Sequence, residues 1–266
     1  MAIGSYDRQA LEYVNGRPQY PPQLFSFIAK HSPHRRLAWD VGTGSGQAAL
    51  ALSEMFERVI ATDVSEQQIS YAPRRPNITY AVTPRAMSLQ ELESTVGEEG
   101  SVDLVTVAQA LHWLDLDTFY GHVKHVLRKP GGVFAALCYR EPVVNPSVDC
   151  VFEEVFRASV AFGDPPRKMV DEGYATVCFP FRSVVQEGSE EGESTTAPIK
   201  FWPKKEMGLE PYLNYMRSWH AYQKAKATGV DLLDEQTVAR FKDAWAESEN
   251  DAKTVSFPVF LRIGVV

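Results

Sequence analysis

The chain has 266 residues, of which 44% are hydrophobic, and a formal net charge of −7, so it is long enough for one large α/β domain or two small ones. Its negative charge argues against a general nucleic-acid binder, and no apolar run approaches the roughly 20 residues that span a bilayer. Because the N-terminus lacks the features of a secretory signal and the three cysteines show no CxxC spacing, we expect a cytoplasmic protein with reduced thiols and with no nucleic-acid or membrane partner.

Strands and helices alternate along the first half of the chain. Apolar runs predict strands at residues 37–41, 58–62, 78–82, 102–107 and 133–138. Helices are predicted at residues 46–55, after the capping pair Ser65 and Gln68, and at residues 116–127, where Lys129-Pro130-Gly131-Gly132 follows as a breaker. This alternation predicts right-handed βαβ units and a parallel sheet, with ligands bound beyond the carboxyl ends of its strands.

The second half of the chain is less regular. Residues 148–156 carry apolar side chains at helical spacing, residues 181–185 fit a sixth strand, and residues 186–196 have the composition of a solvated loop. Further helices are predicted at residues 209–226 and 234–245, and a final strand at residues 255–266. Since no linker cleanly separates two domains, we expect these helices to form a cap over the edge of the sheet.

A glycine-rich turn follows the first predicted strand. Residues 40–46 read Asp-Val-Gly-Thr-Gly-Ser-Gly, and Asp63 follows the second strand. Glycines let a ligand lie against bare backbone, while a fixed carboxylate at Asp40 would repel a pyrophosphate and favour a cationic ligand. The spacing also differs from the Gly-x-Gly-x-x-Gly of dehydrogenases. The pattern favours S-adenosylmethionine, which carries an ammonium and a sulfonium and no phosphate; a nicotinamide cofactor and a purely structural turn are the alternatives.

These motifs, taken in order, resemble the class I S-adenosylmethionine-dependent methyltransferases. The glycine turn is similar to their first motif, Asp63 to the acid after their second strand, and Lys129-Pro130-Gly131-Gly132 to the turn before their fifth strand. Three further stretches resemble the small-molecule branch that includes trans-aconitate methyltransferases and related plant proteins. They are residues 17–21 (Arg-Pro-Gln-Tyr-Pro), 108–113 (Ala-Gln-Ala-Leu-His-Trp) and 212–219 (Tyr-Leu-Asn-Tyr-Met-Arg-Ser-Trp).

The resemblance implies an α/β fold of the Rossmann-like type. The sheet would have seven mostly parallel strands, helices on both faces, an antiparallel last strand and a helical cap. It also implies a single domain over residues 1–266. Within it, residues 1–32 would form an N-terminal lid, 33–140 the donor-binding core, 141–254 the cap helices plus the sixth strand, and 255–266 the last strand.

The resemblance further implies S-adenosylmethionine as the donor and S-adenosylhomocysteine as the product. Asp63 would accept hydrogen bonds from both ribose hydroxyls, although a carboxylate there also suits the N-terminus of the next helix. Where many relatives carry an acid for the adenine amino group, this chain reads Arg85-Ala86-Met87-Ser88, so that contact would fall to the Ala86 backbone and the Met87 side chain. The implied donor-binding residues are Arg17, Asp40, Gly42, Gly44, Gly46, Asp63, Val64, Ala86, Met87, Ala108 and Gln109.

The implied acceptor site combines two histidines with aromatic side chains. His112 is a candidate for a base or for positioning the acceptor, and His220 is a weaker candidate. Arg17 would bind the methionine carboxylate or an anionic substrate. The implied substrate-binding residues are Tyr13, Tyr20, Trp113, Tyr215 and Trp219. The alternatives are that His112 only orients its loop and that the aromatics at helical spacing form plain core.

Methyl transfer from a sulfonium is an in-line displacement in which the protein chiefly aligns donor and acceptor and excludes water. A carboxylate acceptor is ionised at pH 7 and needs no base, whereas a phenol or alcohol needs one. The resemblance favours O-methylation of a small carboxylic acid; N- or phenol-O-methylation of an aromatic molecule and a non-catalytic donor-binding protein are the alternatives. No metal is expected, because the pairs His31/His34 and His122/His125 lack a cysteine or carboxylate at ligand spacing.

Overall fold

The computed structural model describes residues 20–163, 167–184, 197–245 and 252–266. Its described segments fall into two compact units. The first, the sheet unit, contains Tyr20–Arg140, Lys168–Phe201 and Val259–Val266, and the second, the helical unit, contains Glu141–Arg167 and Trp202–Pro258. The predicted lid residues Tyr13 and Arg17 lie outside the described residues.

The strands in chain order are β1 (Leu37–Val41), β2 (Arg58–Asp63), β3 (Ile78–Val82), β4 (Leu104–Ala108), β5 (Val133–Tyr139), β6 (Arg182–Ser183), β7 (Ile199–Phe201), β8 (Lys204–Met207), β9 (Lys253–Ser256) and β10 (Val259–Val265). Eight of them form the sheet, in the order β3-β2-β1-β4-β5-β10-β6, with β7 also paired to β10. Strands β1 to β5 pair in parallel, and β10 runs antiparallel to β5.

This topology confirms the predicted fold class, a mostly parallel sheet with an antiparallel last strand. The sheet has one strand more than predicted because two short strands pair with different ends of β10. Strand β7 pairs with Val259–Leu261 and β6 with Gly264 and Val265. Strands β1 and β5 are buried along their whole length, as expected of parallel strands that are covered on both faces.

The helices are α1 (Pro22–Lys30), α2 (Gln47–Ser53), α3 (Glu66–Ser70), α4 (Leu89–Thr95), α5 (Leu116–Val126), α6 (Pro146–Val160), α7 (Arg167–Asp171), α8 (Leu209–Arg217), α9 (His220–Ala227) and α10 (Glu235–Trp245), with a 3-10 turn at Leu111–Trp113. Helices α1, α4 and α7 were not predicted. Helix α4 nevertheless begins with a capping box between Ser88 and Glu91, which is a recognised start signal.

Two elements predicted as continuous are each interrupted. The helix predicted at residues 209–226 is broken at Trp219, whose ψ of 140° is extended rather than helical. The strand predicted at residues 255–266 is split into β9 and β10 at Phe257 and Pro258, because proline has no N–H to donate to a ladder. Strand β9 pairs with β8 in a separate two-stranded ribbon.

The core of the helical unit is aromatic. Phe152 on α6 lies edge-on to Trp219 with ring centroids 5.4 Å apart, and Tyr212 on α8 packs 5.3 Å from Trp245. Burial of these large rings supplies the main stabilisation of the unit. Throughout the described ranges, no helix combines the length and apolar character needed to cross a membrane.

Candidate active site

The predicted motif residues of the sheet unit meet at the carboxyl ends of adjacent strands. Val41 at the end of β1 pairs with Thr62 of β2 on one side and with Val107 of β4 on the other. Ala108 at the end of β4 pairs with Leu137 of β5. The glycine turn, Asp63 and the exit of β4 therefore share one edge of the sheet, where parallel α/β sheets bind ligands.

The glycine turn is held against the sheet by backbone contacts that admit no side chain. The Thr43 N–H donates to the Thr62 carbonyl at 3.0 Å. A Cβ at Gly42, whose φ is +63°, would lie 2.5 Å from Ala110 Cβ, and one at Gly46, with φ +79°, would lie 2.5 Å from Tyr80 Oη. At Gly44 the nearest described atom to the Cβ position, Gln68 Oε1, is 3.9 Å away, which is ordinary van der Waals contact. The turn thus has bare backbone at the half-buried Gly44, at its centre.

Asp63 accepts from the glycine turn with one carboxylate oxygen and from the residue that caps α3 with the other. The Gly44 N–H donates to Oδ2 at 2.8 Å, and the Ser65 N–H donates to Oδ1 at 2.9 Å. Ser65 itself caps α3, accepting from the Gln68 N–H at 3.2 Å, as predicted. Each carboxylate oxygen has two lone pairs, so Asp63 keeps acceptor capacity for the pair of ribose hydroxyls that its predicted role requires.

Asp40 is fully buried and braces the site from within. The Thr43 hydroxyl donates to its carboxylate at 2.6 Å and the Thr106 hydroxyl at 2.7 Å. Burial raises the pKa of Asp40 to about 6, although these hydroxyls and the Ala49 N–H oppose the shift by hydrogen bonding. The predicted influence of Asp40 on a cationic ligand would therefore act through its charge and through the shape of the turn.

The predicted adenine and donor contacts lie around the same edge. Val64, directly after Asp63, is 61% exposed, Ala86 is exposed, and Met87 is partly buried against the sheet core. After the half-buried Ala108, Gln109 adopts a left-handed φ of +58° and its amide donates to the Tyr139 carbonyl at 2.9 Å. This bond joins the exits of β4 and β5.

His112 lies in the 3-10 turn that follows β4. Its Nδ1 is 3.2 Å from the hydroxyl of Tyr174, and its ring lies 5.0 Å from that of Trp113, which is 43% exposed. Tyr174 was missed by sequence reasoning, although Gly173 before it is a typical helix-ending glycine that could have marked this turn. The structure therefore adds a buried tyrosine to the predicted acceptor side.

Tyr20 belongs to the same group of side chains. Its ring centroid lies 6.1 Å from that of Tyr139. Burial raises its pKa well above the ordinary value, and the neighbouring Tyr139, Tyr174 and Asp40 add to the shift. The phenol therefore keeps its proton at neutral pH.

The three predicted cap residues lie in the other unit. Tyr215 and Trp219 are buried with ring centroids 5.7 Å apart, which is the core arrangement named as their alternative. His220 is exposed at the start of α9. Their roles in substrate binding or catalysis stay predictions, as do those of Tyr13 and Arg17.

In the described ranges, no group of three or more His, Cys, Asp or Glu side chains is arranged to hold a metal ion. His125, one of the paired histidines, lies 2.8 Å from a Glu93 carboxylate oxygen. The features that the edge does offer are a bare glycine backbone, a carboxylate with spare acceptor capacity and exposed apolar surface at Val64. These features fit a nucleoside that carries no phosphate, as S-adenosylmethionine does.

Comparisons with known proteins agree with this geometry. A model of the methyltransferase domain family matches residues 39–136, which hold the glycine turn, Asp63 and His112. A Dictyostelium discoideum protein named as a methyltransferase is 32% identical over 256 residues, covering 94% of this chain and 90% of that protein. A solved structure of a type II methyltransferase from Anaeromyxobacter dehalogenans matches with a TM-score of 0.78 and 34% identity, covering 94% of this chain and 97% of that one.

A shorter match is also informative. The Saccharomyces cerevisiae protein CRG1, described as an S-adenosylmethionine-dependent methyltransferase, is 32% identical over 142 residues, which cover 50% of this chain and 46% of that protein. The chain thus spans about half the length of this relative. Because the long matches cover nearly the whole sequence, the chain belongs to the class I S-adenosylmethionine-dependent methyltransferases.

Proposed function

We propose that this methyltransferase transfers the methyl group to a carboxylate oxygen of a small metabolite. The observation that supports this acceptor class is the composition of the strand exits on the acceptor side. Gln109 and His112 follow β4, and Tyr139 and Arg140 end and follow β5. None of these four is acidic, and Glu141, the carboxylate that comes next, accepts from Arg167 at 2.7 Å, so an anionic acceptor would meet no like charge from the four.

The same residues argue against an amine acceptor. A site that binds a protonated amine normally supplies carboxylates to pair with it. Asp40, the carboxylate whose charge acts on Tyr20, is buried and accepts hydrogen bonds from Thr43 and Thr106. The resemblance of residues 108–113 and 212–219 to the trans-aconitate branch supports an acid acceptor as well.

The chain's part in the reaction would be binding and alignment. When bound, S-adenosylmethionine supplies an electrophilic methyl; the acceptor oxygen forms the new C–O bond while sulfur keeps the electron pair of the broken bond. The glycine turn and Asp63 would hold the donor, and His112 and Trp113, after β4, would lie beside the acceptor. A carboxylate that becomes an ester releases no proton, so no residue of the chain has to act as a base.

The competing functions differ in what they require of the chain. Phenol-O-methylation needs a base, for which His112 is the candidate at this edge, and N-methylation of an aromatic molecule needs the amine in its neutral form. A non-catalytic donor-binding protein needs the glycine turn and Asp63 alone. The substrate is a small molecule in each catalytic case.

The test is incubation with methyl-labelled S-adenosylmethionine and a panel of small carboxylic acids, phenols and amines, followed by brief alkaline hydrolysis. A methyl ester releases its label as methanol in alkali, whereas methyl ethers and methylamines retain it. We expect label transfer to acids, in alkali-labile form. Transfer only in alkali-stable form would overturn the acid assignment. Tight donor binding by calorimetry without any transfer would favour the non-catalytic alternative.

A further inference from the structure

Tyr174 is held at the acceptor side by a helix-ending turn. After α7, the Gly173 N–H donates to the Val170 carbonyl and the Tyr174 N–H to the Met169 carbonyl, both at 2.8 Å. This pair of bonds is the Schellman motif, in which the residue after the helix cap is left-handed. Gly173 has a φ of +60°, and Tyr174 itself also has a φ of +60°, which is rare for a bulky residue and is found where the surrounding structure over-determines it.

A buried arginine holds this unusual backbone conformation in place. The Arg262 guanidinium, from β10, donates to the carbonyls of Tyr174 at 2.8 Å, Ala175 at 3.2 Å and Val177 at 3.4 Å. Its guanidinium carbon also lies 4.7 Å from the ring centroid of Phe179. Three carbonyls on one guanidinium fix the backbone of this turn, so the fully buried Tyr174 ring has little freedom to move.

The Tyr174 hydroxyl ends this rigid arrangement against His112. The oxygen lies 3.2 Å from His112 Nδ1. Burial raises the pKa of the phenol well above its ordinary value, opposed by the backbone N–H groups of Leu111 and His112, so the phenol keeps its proton. Among the described residues, His112 Nδ1 is the hydrogen-bond partner of this buried hydroxyl. A proton on Nδ1 would leave the phenol hydrogen buried without an acceptor, so the hydroxyl donates to Nδ1.

We propose that Tyr174 is a positioning residue that donates its hydroxyl hydrogen to His112 Nδ1 and so holds the neutral imidazole with its own proton on Nε2. In a neutral histidine one ring nitrogen donates and the other accepts, and the partner of one sets the state of the other. His112 would then present a hydrogen-bond donor at Nε2 and could not take a proton there. The catalytic meaning rests on the proposed function: a donor at Nε2 suits a carboxylate acceptor, whereas a phenol would need a basic Nε2.

The first experiment reads the tautomer directly, without any substrate. The full-length protein is labelled with ¹⁵N-histidine, and the His112 signals are assigned by their loss in His112→Gln. We expect the Nε2 shift of a protonated ring nitrogen and the Nδ1 shift of an unprotonated one, at a pH where the ring is neutral. The reverse assignment, with the proton on Nδ1, would overturn the proposal.

The second experiment removes the hydroxyl and compares it with a matched control. Tyr174→Phe should release the constraint, so that the Nδ1 and Nε2 shifts of His112 move toward each other as the two tautomers mix. The control is Tyr120→Phe, which removes the hydroxyl of another buried tyrosine, whose bond goes to the Cys178 carbonyl at 2.8 Å. This control should leave the His112 signals where they were. Unchanged tautomer shifts in a folded Tyr174→Phe protein would also reject the proposal.

An activity measurement separates this inference from the proposed function. The amide nitrogen of a glutamine can take the place of Nε2–H, whereas the shorter asparagine reaches only the place of Nδ1. With an acid acceptor, His112→Gln should keep kcat/KM about tenfold above that of His112→Asn, the size of one charge-assisted hydrogen bond. Equal loss in both variants would contradict the donor role. Failure to find any acid acceptor would remove the proposed function and leave the tautomer result standing.

Discussion

Asp40 and Asp63, on neighbouring strands of the same sheet, are two carboxylates with opposite surroundings. Asp63 is half-buried and accepts from two backbone N–H groups, so its charge is stabilised and its remaining lone pairs face outward. Asp40 is fully buried and accepts from two hydroxyls, so its charge is held against the cost of desolvation. Asp63 is therefore suited to contact a ligand, and Asp40 to shape the glycine turn that contacts it.

Removing the Asp63 carboxylate should weaken donor binding. We expect Asp63→Ala to raise the Kd for S-adenosylmethionine about 10- to 100-fold, because hydrogen bonds to a charged group contribute about 1.5–3 kcal/mol. The measurement is calorimetric titration. Ser65→Ala is the control: it removes the cap of α3, with a loss of about 1 kcal/mol of stability, and should leave the Kd nearly unchanged. An equal rise in Kd for both variants would mean that Asp63 acts only by supporting the helix.

Asp40 should make stability depend on pH in the acid range. Its pKa is raised from 3.8 to about 6 in the folded chain, so its favourable contribution is complete below about pH 4 and is lost as the pH rises through 6. A shift of about two units corresponds to about 3 kcal/mol. We therefore expect the free energy of unfolding of Asp40→Asn, minus that of the native chain, to be about 3 kcal/mol higher at pH 7 than at pH 4. The measurement is unfolding in urea at both pH values.

Removing the Thr106 hydroxyl should change the stability at pH 7 in the direction opposite to that expected for Asp40→Asn. Thr106→Val removes a hydrogen bond that lowers the pKa of Asp40, so it should increase the destabilisation at pH 7 more than at pH 4. Parallel pH profiles for the native chain and Asp40→Asn would show that this carboxyl does not govern the trend.

At this scale the sequence could predict residues that belong to short local patterns. Asp40 lies near the end of β1, Asp63 ends β2 and His112 follows β4, and the common direction of parallel strands brings them to one edge. Tyr174 could not be found in this way, since it meets His112 from 62 positions away and depends on the left-handed backbone and the distant Arg262. The hydrogen bonds that Asp40 accepts from Thr43 and Thr106 likewise depend on how the strands pack.

Among the elements, the glycine turn is the one whose geometry leaves least room for change. Gly42 combines a left-handed φ with a Cβ position that is already occupied by Ala110. Helices α3 and α4, which precede and follow β3 in the chain, begin instead with serine caps. Such caps are compatible with many different sequences in the helix that follows. The turn is therefore specified by contact, and the helices by their ends and apolar faces.

The two requirements at Gly42 can be separated with a second glycine. Gly100 has a similar φ of +68°, but nothing lies within 4 Å of its Cβ position. Gly100→Ala should cost only the conformational strain, about 1–2 kcal/mol. Gly42→Ala adds the clash, so it should lose more stability in urea unfolding and also raise the donor Kd by at least about tenfold. Similar losses in both variants, with donor binding intact, would mean that the turn can shift to accept a methyl group.

Element boundaries show where local pattern is sufficient. Residues 37–41 and 78–82 are strands with the predicted ends, because these mostly apolar runs stop at Gly42 and Thr83. The break at Trp219 has no proline or glycine to announce it; the extended ψ there turns α9 relative to α8 within an aromatic core that only the folded unit defines. The pairing of both β6 and β7 with β10 is likewise a long-range event, since the strands are distant in sequence.

On the scale of the whole molecule, the chain consists of two compact units, and all the described donor-site residues belong to one of them. The sheet unit holds the glycine turn, Asp63, His112 and Tyr174. The helical unit holds its own aromatic core. Ligand binding stabilises whatever must be folded to form the site, so the two units need not respond equally.

Hydrogen exchange with mass spectrometry can measure this response. At a donor concentration of about 100 times Kd, the site should be stabilised by about 2.7 kcal/mol, so slowly exchanging amides of β1, β2 and β4 should gain about 100-fold protection. Amides of α8 and α10 should gain less if their unit opens separately. The same donor added to Asp63→Ala should protect little. Equal gains in both units would show that the chain opens in one cooperative step.

The turn that carries Tyr174 lies in a segment, Lys168–Phe201, that interrupts the helical unit in sequence but belongs to the sheet unit. This sets a rule for building chimaeras between relatives. Exchanging residues 141–167 and 202–258 replaces the helical unit while keeping Tyr174, Arg262 and His112 from one parent. A single exchange of residues 141–258 would transplant Tyr174 away from the His112 and Arg262 with which it fits. Comparison of the two designs would show whether acceptor choice travels with the helical unit or with this one turn.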